Sequence, residues 1–232
     1  MLHSFPDNFR ACVIGANGAI GAAFVAQLQV DPRCGTVFSL HRGSSPALDL
    51  ADENSIAVAA ESLREHAPFH LIIHAAGILH NDDFMPEKKL ADLRYAQMQA
   101  TFLVNTFGPA IVIKHFSKLL DKQRGALAIL SAKVGSIEDN RLGGWYSYRA
   151  SKAALNMLIK TAAIELKRQQ PNTVVVALHP GTVSSGLSQP FRGAEIGRPA
   201  TQAASEMLDV LNSLKPDDTG TFITYSGERL PW

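Results

Sequence analysis

Ala11-Cys12-Val13-Ile14-Gly15-Ala16-Asn17-Gly18-Ala19-Ile20-Gly21 decides the fold. The apolar run from Arg10 to Ile14 reads as a buried strand. A glycine turn follows, and then a helical pattern from Ala22 to Val30. Strand, glycine turn and helix are the context that a dinucleotide fingerprint requires. Gly15 allows the tight turn, Gly18 lets the backbone approach a pyrophosphate, and Gly21 lets the helix pack close to its strand. The phosphates would sit at the positive helix N-terminus, beside Asn17, Ala19 and Ile20. A generic tight turn is the plainer reading, and the rest of the chain weighs against it.

Thr36 to Leu40 reads as the second strand, and His41-Arg42-Gly43-Ser44-Ser45 follows it. In dinucleotide folds the residue after this strand faces the adenosine ribose. An acid there bonds the 2′-hydroxyl, whereas an Arg accommodates a 2′-phosphate. No acid stands at this strand end, and Arg42 is available, so NADP(H) is expected over NAD(H). As a solvated loop charge, Arg42 would carry no such preference. Asp49, next to Leu50, could bond the adenine amino group or simply cap its loop. A helix is expected over Glu53 to His66 with Asp52 as its N-cap. Phe69 to His74 is an almost uninterrupted apolar strand, as suits a parallel strand covered on both faces. It ends in Ala75-Ala76-Gly77, whose small side chains leave room for a flat adenine.

Leu93 to Leu120 carries a long helical pattern with Asn105 among apolar residues and Gly108-Pro109 after it. A proline there frees a carbonyl and kinks the helix, and a buried amide must find partners. Gly125 to Ser131, Thr173 to Leu178 and Gly220 to Tyr225 read as the remaining strands, and Pro199 to Leu214 as the last helix. The Gly/Ser/Pro-rich stretch 182–198 is expected to form a mobile lid over the substrate.

The chemistry concentrates in Gly143 to Glu165, a helical pattern opened by Trp145-Tyr146-Ser147-Tyr148-Arg149-Ala150-Ser151-Lys152. Tyr148 and Lys152 stand four residues apart and share one helix face, whereas Tyr146 points elsewhere. A phenol with an ammonium one turn away is an acid–base device. The cation should draw the tyrosine pKa down from about 10 toward the operating pH. A solvated helix that happens to carry a Tyr and a Lys is the bland alternative.

Composition is that of an ordinary globular chain: 232 residues, 46% hydrophobic, 19% charged, net charge +1. That balance points to neither nucleic acid nor an anionic membrane as partner. No secretory signal or membrane span is expected, no metal site is read, and two cysteines make no disulfide framework, which fits a reducing cytoplasm. Strands and helices alternate with no composition break, so one domain with a parallel sheet is expected over 1–232.

Taken together, these residues resemble the short-chain dehydrogenase/reductases over nearly the whole chain. The motifs stand in family order: Gly15-x-x-Gly18-x-x-Gly21, Asp49, Ala75-Ala76-Gly77, Asn105, a serine after a strand, Tyr148-x-x-x-Lys152 and Pro180-Gly181. Val134-Gly135-Ser136-Ile137 and the ending from Tyr225 to Trp232 look like sniffer-like carbonyl reductases and C-signalling factors. The resemblance implies an α/β, Rossmann-type, doubly wound parallel sheet with helices on both faces, a three-layer sandwich. It implies an NADPH-dependent reductase of an aldehyde or ketone, in which Tyr148 protonates the carbonyl oxygen and Lys152 lowers the Tyr148 pKa and bonds the nicotinamide ribose. Asn105 would anchor a proton-relay water. Pro180, Gly181 and Val183 would border the nicotinamide, and Ser185 would reach the cofactor. Family members commonly pair through two long helices, so a homodimer or homotetramer is expected.

Three departures stand out. The middle glycine is shifted, and His74 takes the place of a structural amide. The family's catalytic serine stands three residues before Gly135, and that position is Ala132. Ser131 can serve only through a local bulge, because a one-residue shift reverses a strand side chain, and Ser136 is its rival. Ala132 feeds a second reading, a dinucleotide-binding signalling or sensor protein with little turnover. The physiological substrate is not legible.

Overall fold

The six apolar runs all become strands of one parallel sheet. A computed structural model describes residues 1–232. β1 (Phe9–Ile14), β2 (Cys34–Leu40), β3 (Leu71–His74), β4 (Ala126–Leu130), β5 (Val174–His179) and β6 (Phe222–Thr224) pair in the order β2-β1-β3-β4-β5-β6. Every pairing is parallel. The central strands β3 and β4 are buried at every residue, as their continuous apolar sequence requires. β2 forms one edge and is half open to solvent.

Two apolar layers cover the sheet. On one face α1 (Ala19–Val30) and α7 (Ala200–Ser213), which follows the single-turn α6 (Gly193–Ile196), pack over Ala11, Val13, Leu71, Ile73 and Val176. The opposite face carries α2 (Glu53–Ser62), α3 (Tyr95–Phe102), α4 (Gly108–Phe116) and α5 (Tyr146–Gln169). There Ile14, Ile72, Ile129, Val175, Leu155 and Phe116 interlock. The result is the expected three-layer doubly wound fold. The chain reverses direction across the sheet between β1 and β3, and in open α/β sheets that switch point is where ligands bind.

Local signals explain most boundaries. Asp52 caps α2 by accepting a bond from the Asn54 N–H at 2.9 Å. The helix expected to reach His66 ends at Ser62, with a short 3-10 turn from Arg64 to His66. α1 starts at Ala19, three residues earlier than its apolar period, with Gly18 as its N-cap. No helix is long and apolar enough to cross a membrane.

Candidate active site

The glycine turn is shaped for a backbone that must pass close to something. Gly15 has φ +83°, where an L side chain is strained, and a Cβ there would meet the Ala76 backbone and side chain at 2.8 Å. A Cβ on Gly21 would lie 2.1 Å from the Gly15 carbonyl oxygen. At Gly18, by contrast, the only close neighbour of a Cβ is 3.4 Å away, so the groove side is open. α1 begins with no side-chain cap and no acid in its first turn, leaving its N–H groups and positive dipole end for an anion.

Above this turn lies a cavity of about 470 Å³. Gly15, Asn17, Gly18, Ala19 and Ile20 form its floor. Arg42, Asp49 and Leu50 wall one end, and Ala75, Ala76 and Gly77 the middle. Ser131, Tyr148, Lys152, Pro180 and Ser185 close the other end. The residues therefore fit a dinucleotide laid across the switch point. Sequence reasoning missed His41, Ile78, Val104 and Leu187, which also line it. Only His41, next to Arg42, and Leu187, in the anticipated lid, had a signal that could have found them. Asp49 lines the cavity and caps its loop, accepting the Ala51 N–H at 2.9 Å.

Three predicted residues lie outside the cavity wall. Val183 is buried in the core layer under α7. Gly181, at φ +72°, turns under Tyr225 and Arg198, where any Cβ would overlap both. Asn105 sits behind the wall. Its amide brackets Ile78, accepting that N–H and donating to that carbonyl, each at 2.8 Å, and also donates to Ser151 Oγ at 3.2 Å. A Cβ on Gly77 would lie 3.1 Å from Asn105 Oδ1 and 3.5 Å from Lys152 Nζ, so amide and amine converge on one small volume.

The kink expected at Pro109 takes another form. Leu103–Phe107 is a π-helical turn between α3 and α4, in which the Gly108 N–H bonds Leu103 O five residues back. Pro109 has no N–H to offer Asn105's carbonyl, and the widened turn accommodates that loss while presenting the Asn105 side chain to the site.

Tyr148 and Lys152 lie as expected on one face of α5, and both are buried. The Lys152 ammonium stands 5.9 Å from the Tyr148 ring centroid and donates to Leu130 O at 3.0 Å. The electrostatics run against expectation. Burial pushes the Tyr148 phenol up to about 12, and burial pushes the Lys152 amine down to about 8. Desolvation wins because the amine is shared with a backbone carbonyl rather than held against the phenol oxygen. His74, at the end of β3, is fully buried with neither ring nitrogen partnered. Burial, aided by the Lys152 charge, takes its pKa down to about 3, so it is a neutral imidazole.

The bulge expected at Ser131 is absent. β4 pairs with β5 without irregularity, and Ser131 N–H still bonds Leu178 O at 2.9 Å. Ser131 therefore faces α5 and donates to Asn156 Oδ1 at 2.6 Å. Ser136 lies away from the cavity, donating to Trp232 O at 3.2 Å. Ala132 opens a 3-10 turn and contributes no polar group.

The segment 182–198 folds down onto the site. A bridge between Val183 and Arg198 closes its base. Arg198 also pairs with Glu206, donates to Pro180 O at 2.6 Å and stacks 3.5 Å over Tyr225. At its tip Phe191 packs edge-on against Trp145 at 4.9 Å and against His80 at 5.9 Å.

The chain is similar to known proteins in both sequence and fold. Residues 42–195 match the short chain dehydrogenase family. The chain is 36% identical to the C-signal protein of Myxococcus xanthus over 146 residues, 62% of this chain and 83% of the relative. It is 30% identical to 1-hydroxy-2-glutathionyl-2-methyl-3-butene dehydrogenase of Rhodococcus sp. (strain AD45) over 188 residues, 81% and 79% of the two chains. In fold it is similar to NADPH-bound carbonyl reductase from chicken fatty liver (TM-score 0.83, 24% identity, covering 98% and 96%). Carbonyl reductase Sniffer of D. melanogaster is equally similar (TM-score 0.83, 22% identity, covering 97% and 100%). On the family match over residues 42–195 and the likeness to the Rhodococcus dehydrogenase, the chain belongs to the short-chain dehydrogenase family and is an NAD(P)-dependent oxidoreductase.

Proposed function

We propose that this protein is an NADPH-dependent reductase of aldehydes or ketones in which Tyr148 is the acid. One observation carries the reading: a buried phenol and a buried amine one helical turn apart, at the end of a dinucleotide-shaped cavity. A bound NADPH supplies the hydride that reduces the carbonyl carbon. Tyr148 donates the proton to the carbonyl oxygen. Burial keeps Tyr148 as a phenol near neutral pH, and the protonated form is the one a reduction consumes. Lys152, with a pKa pushed down to about 8, exchanges protons easily near neutrality and returns one to Tyr148. Asn105 steadies Ile78 and the floor beside that amine. Ser131 is our choice to hold the substrate oxygen, since it alone of the two serines borders the cavity. Its hydroxyl reaches a carbonyl by rotating off Asn156.

NADPH over NADH is supported by His41 and Arg42 at the adenosine end and by the engagement of Asp49, the only acid on the wall, with the Ala51 N–H. The test is consumption of NADPH and of NADH with a panel of aldehydes, ketones and quinones, by the wild type and by Tyr148→Phe. Tyr148→Phe should lose at least about a hundredfold in kcat, the scale of a lost general acid. Near-normal turnover in that variant sinks the assignment, and a preference for NADH sinks the cofactor choice.

A second reading has its own observation. Ala132 leaves the family's serine position apolar, and Ser131 spends its proton on Asn156. A dinucleotide sensor with little turnover, in line with the likeness to the C-signal protein, needs no more than that. Tight NADPH binding without turnover anywhere on the panel would favour it. Exposed Tyr95, Leu103, Phe107, Met157 and Ile164 along α3, the π-helical turn after it and α5 support pairing of two copies through this surface, which a monomer mass in light scattering would refute. Free Cys12 and Cys34 support a cytoplasmic location, to be checked by cell fractionation.

A further inference from the structure

α5 enters the site by an awkward path. Gly143, Gly144 and Trp145 are all left-handed, with φ of +63°, +64° and +51°. Trp145 is not a glycine, so its conformation is costly and must be held by its surroundings. The helix then begins with no acid in its first turn and no side-chain cap of its own.

What holds it is a carboxylate 60 residues away in sequence. Glu87 lies in the polar, proline-containing segment before α3, yet it is buried, with only 2% of its surface exposed. Its carboxylate accepts the Ser147 N–H at 3.1 Å and the Ser147 hydroxyl as a second bond. Its backbone carbonyl accepts the Trp145 N–H at 2.5 Å. A charged acceptor on the first N–H groups of a helix is favoured by the helix dipole. Here the cap comes from another part of the chain. The Glu87 segment is itself tied down, because Gln97 donates to Met85 O at 2.9 Å.

The residue after Ser147 is Tyr148. Trp145, fixed by the same anchor, packs its ring against Tyr148 at 6.1 Å and against Phe191 of the segment 182–198 at 4.9 Å. Glu87 therefore stands where the helix start, the loop 79–89 and the covering segment meet. We propose that Glu87 is a positioning residue for the reaction: by clamping Trp145 and Ser147 it sets where the Tyr148 hydroxyl points and couples that hydroxyl to the loop 79–89 and, through Trp145 and Phe191, to the segment 182–198.

The proposal rests on the reading of Tyr148 as the acid, so one arm of its test is independent of turnover. Glu87→Ala and Glu87→Gln are compared in the full chain. Gln keeps an acceptor for the Ser147 N–H and can donate to the Ser147 hydroxyl, whereas Ala keeps neither. Amide hydrogens of residues 145–149 should exchange at least about tenfold faster in Glu87→Ala and within about threefold of wild type in Glu87→Gln. In turnover with NADPH and an aromatic aldehyde or ortho-quinone, Glu87→Ala should lose at least about tenfold in kcat, since misplacement by about 1 Å can cost a hundredfold. NADPH affinity should change by less than about threefold, because the clamp is remote from the glycine turn, and Glu87→Gln should restore kcat. Wild-type exchange and kcat in Glu87→Ala overturn the proposal, and so does a Gln variant as impaired as the Ala one. If Glu87→Ala does not fold, Ser147→Ala removes the partner instead, with the same expectations. Failure here while Tyr148→Phe is inactive removes only this proposal. Normal turnover in Tyr148→Phe removes the reading beneath it, and the exchange arm then decides alone whether Glu87 holds the helix start.

Discussion

Gly21→Ala sets two well-defined effects against each other. Gly21 is helical in α1, so an alanine there should gain about 1 kcal/mol of helix propensity. Against that, its Cβ would lie 2.1 Å from Gly15 O, 2.8 Å from Gly15 C and 3.0 Å from Ala16 Cα. These are backbone atoms of the phosphate turn, and they fall about 0.4 to 1.3 Å short of ordinary contact, which begins at 3.4 Å. No side chain can swing away, so α1 or the turn must move. Overpacking of this kind typically costs about 1–3 kcal/mol, and a backbone obstacle belongs at the upper end. The net expectation is a loss of about 1–2 kcal/mol, or about 2–8 °C in Tm for a chain of this size. The displaced turn should also bind NADPH at least about tenfold more weakly, equivalent to about 1.4 kcal/mol. Thermal melts of the cofactor-free protein and a titration with NADPH measure both. An equal or higher Tm with unchanged NADPH affinity would refute the close-packing account of the glycine turn.

Two further outcomes bear on the site. Burial lowers Lys152 from 10.5 to about 8, so between those values the unfolded chain holds more protons than the folded one, and this group adds stability as pH rises. Urea unfolding of cofactor-free protein should show wild type gaining about 2 kcal/mol on Lys152→Met between pH 7 and pH 9.5. A gap that stays constant would mean that the amine is not desolvated as described. Among the serines, Ser131→Ala should lower kcat at least about tenfold while Ser136→Ala, bonded to Trp232 O away from the cavity, stays near wild type. The reverse order would move the substrate oxygen to Ser136.

The centre of the sheet was legible because β3 and β4 are continuous apolar runs, and burial on both faces leaves no other reading for Leu71–His74 or Ala126–Leu130. Strand order was not legible, since pairing is settled by helices that must cover both faces. That Tyr148 and Lys152 share a helix face was legible from their spacing, because a helix makes neighbours of residues four apart, whereas their pairing as an acid–base device rested on the other motifs of the chain. The direction of the Tyr148 shift was missed because spacing says nothing about water, and both groups are dry. Glu87 gave no signal either. A glutamate between a proline and two lysines reads as solvated until the fold brings Ser147 to it. Ser131 was singled out on the assumption of a bulge, and the regular ladder with Leu178 shows how one hydrogen bond decides a side chain's face.

The wide turn from Leu103 to Phe107 has an evolutionary implication. It holds one more residue than a regular turn, and each residue of an α-helix rotates the chain by about 100°. Deleting a single residue there would bring α3 and α4 onto one regular helical period, with Pro109 left in its interior to kink it. The same repair would swing the Asn105 amide away from Ile78 and Ser151, or rotate the whole of α4 against the sheet. Length in this stretch should therefore be frozen even where its side chains drift.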